Sequence, residues 1–160
     1  MILQRINVVK SDVYDEVAKT TAYEGSKLTG DNSDGAYDRI FTTEGDRAML
    51  GRFWDEACNV ATDTLKRYIQ EVNSQADGEN QKNVDGYHVE LMLSTAYDTR
   101  LTSSMEKSLR SFFVNSIVAK WDKFANKGNV ETYEKDASSA LEDIMSKIYY
   151  RKKPTRVTPK

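Results

Sequence analysis

The chain has 160 residues, 30% of them charged, and a formal net charge of −2. That length fits one domain with a modest core, and the near balance of charge argues against a body-wide nucleic-acid surface or a solvating acidic chain. The single cysteine, Cys58, excludes an internal disulfide and a cysteine-based metal site.

No run of eighteen apolar residues and no signal-peptide pattern occurs; the opening MILQRINVV is too short and too interrupted for either. A reducing, soluble compartment is therefore expected. Both prolines lie in the last ten residues, so the body is free of the residue that most disrupts helices.

Residues 1–10 read as extended, with Ile2, Gln4, Ile6 and Val8 alternating against Leu3, Arg5 and Asn7. A first helix is predicted over about 12–28, capped by Ser11 or Asp12, with Val13, Val17, Ala18, Thr21 and Leu28 as its apolar stripe. The segment 29–35 is dense in turn formers and reads as a loop, pinned to the core by Tyr37, Ile40 and Phe41. Asp31, Asn32, Ser33, Asp34 and Gly35 look like part of a calcium loop. The twelfth position, Thr42, cannot supply the closing bidentate carboxylate, so a plain surface turn is the better reading.

The longest amphipathic run is 42–72. Leu50, Phe53, Trp54, Ala57, Ala61, Leu65, Tyr68 and Val72 recur at helical spacing. Thr42 or Thr43 is placed to cap it, with Glu44 and Asp46 in the first turn, where the helix dipole favours acids. Arg52, Asp55, Glu56, Asp63, Lys66 and Arg67 form its solvated face. Cys58, beside the apolar stripe, reads as a buried structural thiol.

The polar stretch 73–86 is predicted as a long exposed loop. The segment 87–93 then alternates cleanly, Tyr87, Val89, Leu91 and Leu93 against His88, Glu90 and Met92. A strand needs partners for its backbone, and pairing with 2–9 within the chain is favoured over addition to a neighbour's sheet. His88, the one histidine, has no triad or zinc partner nearby in sequence and reads as an exposed strand-face residue.

A third helix is predicted from Thr102 or Ser103 to about Asn126, with Ser103 and Glu106 spaced as a capping box. Its apolar members are Met105, Leu109, Phe112, Phe113, Ile117, Trp121 and Phe124, interrupted by Ser116 and the stem of Lys120. Gly128 signals the turn into a fourth helix over about 130–150, carrying Tyr133, Ala137, Ala140, Leu141, Ile144 and Ile148. The short connection makes these two helices antiparallel neighbours, with the long central helix across them. The expected fold is mainly α: a bundle of about four helices with a small β element, as one domain over 1–150.

The last ten residues change character. Arg151, Lys152, Lys153, Arg156 and Lys160 are all positive, no acid accompanies them, and Pro154 and Pro159 favour extended chain. This reads as a basic arm, 151–160, suited to an acidic surface on another chain or to nucleic acid. Arg151 and Arg156 are able to grip carboxylates in bidentate fashion.

The run Phe112-Phe113-Val114-Asn115-Ser116-Ile117-Val118-Ala119-Lys120-Trp121, the segment 133–148 and the closing Tyr149-Tyr150-Arg151-Lys152-Lys153-Pro154-Thr155-Arg156 resemble small helical proteins of tailed phages and prophages of Bacteroides-type bacteria. These are similar in size and helical make-up to head–tail connector (neck adaptor) proteins. The resemblance covers the last third of the chain and, more loosely, 47–69. It implies a homo-oligomeric ring, often of twelve copies, beneath the portal. The basic arm would reach onto the portal or another neck or tail protein, and DNA would pass through the ring without sequence recognition. It also implies a place in the virion neck, after assembly in the host cytoplasm, and no membrane. No catalytic residue, metal site or cofactor comes with it.

Two other readings stay open. The arm Arg151–Lys160 could serve a helical nucleic-acid-binding module, although the third helix offers only Lys107, Arg110, Lys120 and Lys123 as spaced positives. An enzyme has little to rest on. Glu131, Glu134, Asp136, Glu142 and Asp143 on the fourth helix are most simply a solvated face.

Overall fold

The computed structural model of the chain describes residues 1–27, 42–73 and 86–156. Among them are three strands, β1 (Ile2–Val9), β2 (Ile69–Asn73) and β3 (Gly86–Leu93). There are four α-helices, α1 (Lys10–Lys27), α2 (Arg47–Leu65), α3 (Thr102–Ala125) and α4 (Val130–Tyr149). The architecture is mainly helical with one small antiparallel sheet. The expected loop 29–35, the pinning residues Tyr37, Ile40 and Phe41, most of the 73–86 loop and Lys160 lie outside the described residues.

The sheet order is β1-β3-β2. Strand β3 pairs with β1 in a register that sets Ile6 opposite Val89 and Val8 opposite Tyr87, so the strand over 87–93 does pair with 2–9 inside the chain. The alternation decides which face is covered. Ile6, Val8, Tyr87, Val89, Leu91 and Leu93 are buried, and β1 packs against α3 and α1. The other face carries two cross-strand polar pairs. Arg5 Nε donates to Glu90 at 2.7 Å, and His88 Nδ1 lies 2.7 Å from Asn7 Oδ1.

Strand β2 corrects the reading of 42–72 as one helix. Helix α2 ends at Leu65, the amide of Tyr68 donates to the Leu65 carbonyl at 2.8 Å, and the chain re-enters as a strand. Tyr68 and Val72 are four apart, a spacing that fits a helix stripe and one face of a strand equally well. The free side of β3 decides between them. Its backbone groups need partners, and the 69–73 backbone supplies them. The Tyr68 carbonyl extends the pairing by accepting from Met92 N at 2.7 Å.

The helix starts also differ from expectation. Residues 44–46 form a single 3-10 turn before α2, and the Asp46 carboxylate accepts from both the amide (2.8 Å) and the hydroxyl (3.1 Å) of Thr43. Helix α1 begins at Lys10, directly off β1, so neither Ser11 nor Asp12 stands outside it as a cap. The capping box expected at Ser103 does not form. Glu106 instead accepts the backbone amide of Asn7 at 3.0 Å, tying α3 to the outer edge of β1. Asp98 does the capping one turn earlier, accepting from Arg100 N at 3.1 Å ahead of a 3-10 turn over 99–101.

Helix α3 is the core of the molecule. A one-sided stripe was expected, yet Val114, Val118 and Ala119 are buried together with Met105, Leu109, Phe112, Phe113 and Ile117. A helix with apolar side chains around most of its girth has neighbours on most sides, and α1, α2, α4 and β1 all pack on it. Phe124, assigned to the core stripe, is instead 73% exposed, while Asp122 in the same turn takes the inward position. An aromatic chain joins four elements: Tyr14 on α1 meets Trp54 on α2 edge-on at 6.3 Å, Trp54 lies 4.5 Å from Phe113 on α3, and Phe113 lies 5.4 Å from Tyr87 on β3.

Helices α3 and α4 are antiparallel, joined by a 3-10 turn over 127–129. The start of one meets the end of the other, where Lys147 reaches the Ser108 hydroxyl at 3.0 Å, and the opposite ends meet at Lys123 and Glu134, 3.3 Å apart. Lys120 bridges α3 to Glu56 on α2.

Candidate docking surface at the root of the basic tail

Helix α4 stops at Tyr149 and Tyr150 turns into extended backbone (φ −61, ψ 134), its amide still donating to Ser146 O at 3.0 Å. The chain then lays two residues against its own body. Arg151 forms an antiparallel bridge with Tyr97, and the amide of Lys152 donates to the Ala96 carbonyl at 3.0 Å. The Arg151 guanidinium turns back to the end of α4, Nη1 donating to the Ile148 carbonyl at 3.0 Å. It satisfies a carbonyl that the last turn of the helix would leave without a partner, as a cation at a helix C-terminus does. Arg151 thus fastens the arm to the end of α4 through Nη1.

Beyond this root, residues 152–156 are exposed, and among the described residues no acid forms an ion pair with Lys152, Lys153 or Arg156. Pro154 lies in that exposed stretch, where it holds the backbone away from helix. The structure thus fastens Arg151 to the end of α4, ties Lys152 by its backbone alone, and leaves Lys153, Pro154 and Arg156 outward, while Lys160 lies outside the described residues.

Beside the root is a groove of about 510 Å³ lined by Asp98, Arg100, Leu101, Ser146, Lys147 and Tyr150. Its charges are internally matched. Asp98 is held below the usual carboxylate range first by its hydrogen bonds with Arg100, Nη2 to Oδ2 at 2.7 Å, with a smaller contribution from the Lys152 charge. Lys147 is bound by Asp143, whose carboxyl is lowered by that bond and by Ser108. Two partly exposed tyrosines adjoin it; Tyr149 packs edge-on against Tyr68 at 6.4 Å, and Tyr150 faces outward.

The other singled-out residues lie apart from this surface. Cys58 is buried, and burial pushes its thiol up to about 12, which keeps it protonated and unreactive. His88 is half-buried on the sheet face beside Asn7. Glu131, Glu134, Asp136, Glu142 and Asp143 are all exposed along α4. Among the described residues no group of three or more His, Cys, Asp or Glu could hold a metal ion, and no helix is long and apolar enough to cross a membrane.

The residues that sequence reasoning passed over are Glu24 and Asp122. Asp122 is 0% exposed and neither of its oxygens has a hydrogen-bond donor; Glu24 is 8% exposed, with Oε1 accepting from Asn129 Nδ2 at 2.9 Å and Oε2 without a donor. A signal was present, since Asp122 falls four residues after Val118 on a stripe that periodicity marks as inward. No family model, curated protein or solved structure matches the chain.

Proposed function

We propose that the chain is a structural ring subunit of a tailed-phage neck, a head–tail connector that joins the portal to the tail, and not an enzyme. The observation that carries the reading is the arm with a fixed root. Arg151 and Lys152 are fastened to the body, and Lys153 and Arg156 beyond them face outward, with no acid paired to them among the described residues. A segment anchored at its root and left unmatched in charge among the described residues suits attachment to an acidic partner by electrostatic complementarity. The partner in this reading is the portal or an adjoining neck or tail protein. The subunit works as one of about twelve copies in a closed ring, in line with the symmetry that closed head-to-tail contacts generate. The resemblance of 112–121, 133–148 and 149–156 to phage connector proteins supports the same reading, with assembly in the host cytoplasm and a final place in the virion neck. No cofactor is needed, and DNA passes through without sequence recognition.

The test is mass measurement of the purified protein, alone and mixed with portal. A ring that associates with portal is the expected result. The same outward charges favour a second reading, a nucleic-acid-binding module that uses the arm. A protein that stays monomeric, ignores portal and binds duplex DNA with a steep salt dependence would establish that reading in place of the first.

A further inference from the structure

Glu24 near the end of α1 and Asp122 near the end of α3 meet inside the molecule, at the corner where the 127–129 turn leads into α4. Among the side chains that the structure describes, a set that leaves out Lys27, no lysine, arginine or histidine bonds either one. Helix α1 brings Glu24, α3 brings Asp122, and α4 brings Tyr133 and Asp136; the turn contributes only the Asn129 amide, bonded to Glu24. The two lysines flanking Asp122 on its own helix are turned elsewhere, Lys120 to Glu56 and Lys123 to Glu134. As two ionised carboxylates the pair would place three acceptor oxygens in the interior with no donor, beside one another and with no counter-charge among the described side chains. Such an arrangement is far too costly to persist. One proton removes both faults, since it cancels a charge and supplies the donor that one carboxyl lacks toward the other.

We propose that Glu24 and Asp122 bind a single proton between them, and that this proton is the latch fastening the end of α1 to the α3–α4 corner. Burial first, and then the neighbouring Glu24, push the Asp122 carboxyl up to about 8. Burial and Glu24 also raise the Tyr133 hydroxyl, which keeps it a donor. The corner is therefore closed at neutral pH and loosens in mild alkali.

The sign follows from proton counting. An unfolded aspartate gives up its proton near about 3.9, whereas folded Asp122 keeps it to about 8. Between those values the folded chain holds one more proton than the unfolded one. Its folding constant consequently falls by up to about tenfold per pH unit, then levels.

Denaturant unfolding of the full chain from pH 5 to 9 tests this, with Asp122→Asn as the first variant. The amide supplies its donors without a titrating proton. The ratio of the variant's folding constant to that of the unaltered chain should rise about tenfold per pH unit up to about pH 8 and then flatten. A ratio constant with pH overturns the proposal. Glu24→Gln is the second variant and keeps the test decisive if the first fails to fold. Removing the neighbouring charge should move the break in the profile to lower pH, and an unmoved break shows that the two carboxyls do not share a proton. Added calcium should leave the unaltered chain unchanged at pH 8; stabilisation by calcium that Asp122→Asn abolishes would put a metal ion in the proton's place and overturn the assignment.

Discussion

The amide of Lys152 donates to the carbonyl of Ala96 at 3.0 Å, one residue past the bridge between Arg151 and Tyr97. The basic tail therefore has two parts, a root that is structural and an outer portion, 153–156, that is exposed and without an ion pair among the described residues. Two truncations separate them. A chain ending at Lys152 keeps every bond of the root, so its unfolding midpoint should match the full chain while ring docking onto portal is lost. A chain ending at Tyr150 also loses the root bonds and the Arg151 contact with the Ile148 carbonyl. At about 1 kcal/mol for each hydrogen bond, it should lose about 2 kcal/mol in denaturant titration. Docking that survives removal of 153–160 would argue against the arm.

Gly86 shows how tightly the sheet is closed. A Cβ on Gly86 would stand 2.0 Å from the carbonyl oxygen of Val8, which is backbone held in the β1–β3 register and unable to move aside. Gly86→Ala should therefore cost about 3 kcal/mol, through separation of the first pairs of the ladder. Gly45→Ala serves as the control, because its Cβ would meet only the Thr43 hydroxyl at 3.6 Å. It should be neutral or stabilising by under about 1 kcal/mol. Thermal melts followed by circular dichroism distinguish the two.

Much of this fold could be read from local pattern, and the exceptions share a cause. Tyr87 to Leu93 alternates and is a strand; Leu50 to Leu65 repeats at helical spacing and is a helix. Both are set by which face a residue turns to one core. Tyr68 and Val72 were misread because a four-residue spacing serves both periods, and the choice fell to the backbone needs of β3, distant in sequence. Phe124 was placed inward for its type, although Asp122 holds the inward position of that turn. At the arm, composition marked the charges but not the fastening of Arg151 to Ile148, which depends on where α4 ends. Glu24 and Asp122 were missed for the same reason, since nothing near either residue announces the other.

Tyr14 and Tyr87 make a matched pair of buried phenols with opposite expectations. Burial pushes both hydroxyls up to about 12, yet the Tyr87 oxygen lies 3.0 Å from the Thr62 hydroxyl, while the Tyr14 oxygen has no partner. Removing an unsatisfied buried hydroxyl relieves its desolvation cost, and removing a bonded one leaves Thr62 short of a partner. Tyr14→Phe should stabilise the protein by about 1 kcal/mol and preserve the ring contacts with Lys10 and Arg47. Tyr87→Phe should destabilise it by about 1 kcal/mol. Chemical denaturation of the two variants in parallel decides the matter; destabilisation by Tyr14→Phe would mean that the hydroxyl has a partner after all.

The bridge between Lys120 and Glu56 contributes to the acid side of the stability profile, together with Asp98 and Asp143. The hydrogen bond from Lys120 is the main reason that the Glu56 carboxyl is lowered, with smaller help from the charges of Lys120, Arg52 and Lys123. A carboxyl lowered in the folded state contributes stability above its unfolded value, about 4.3, and that contribution disappears as the pH falls through the lower folded value. Glu56 is partly open to water and Lys120 less so, which screens the pair and holds its worth to about 0.5–1 kcal/mol. Glu56→Gln should therefore lower stability by that amount at pH 7 in low salt, and by less in 1 M salt at about a 3 Å screening length. Once the pH is low enough to protonate Glu56 in the folded state, the variant should behave like the unaltered chain. A deficit that persists undiminished at low pH would assign the loss to packing of the Glu56 side chain between α2 and α3, with no electrostatic share.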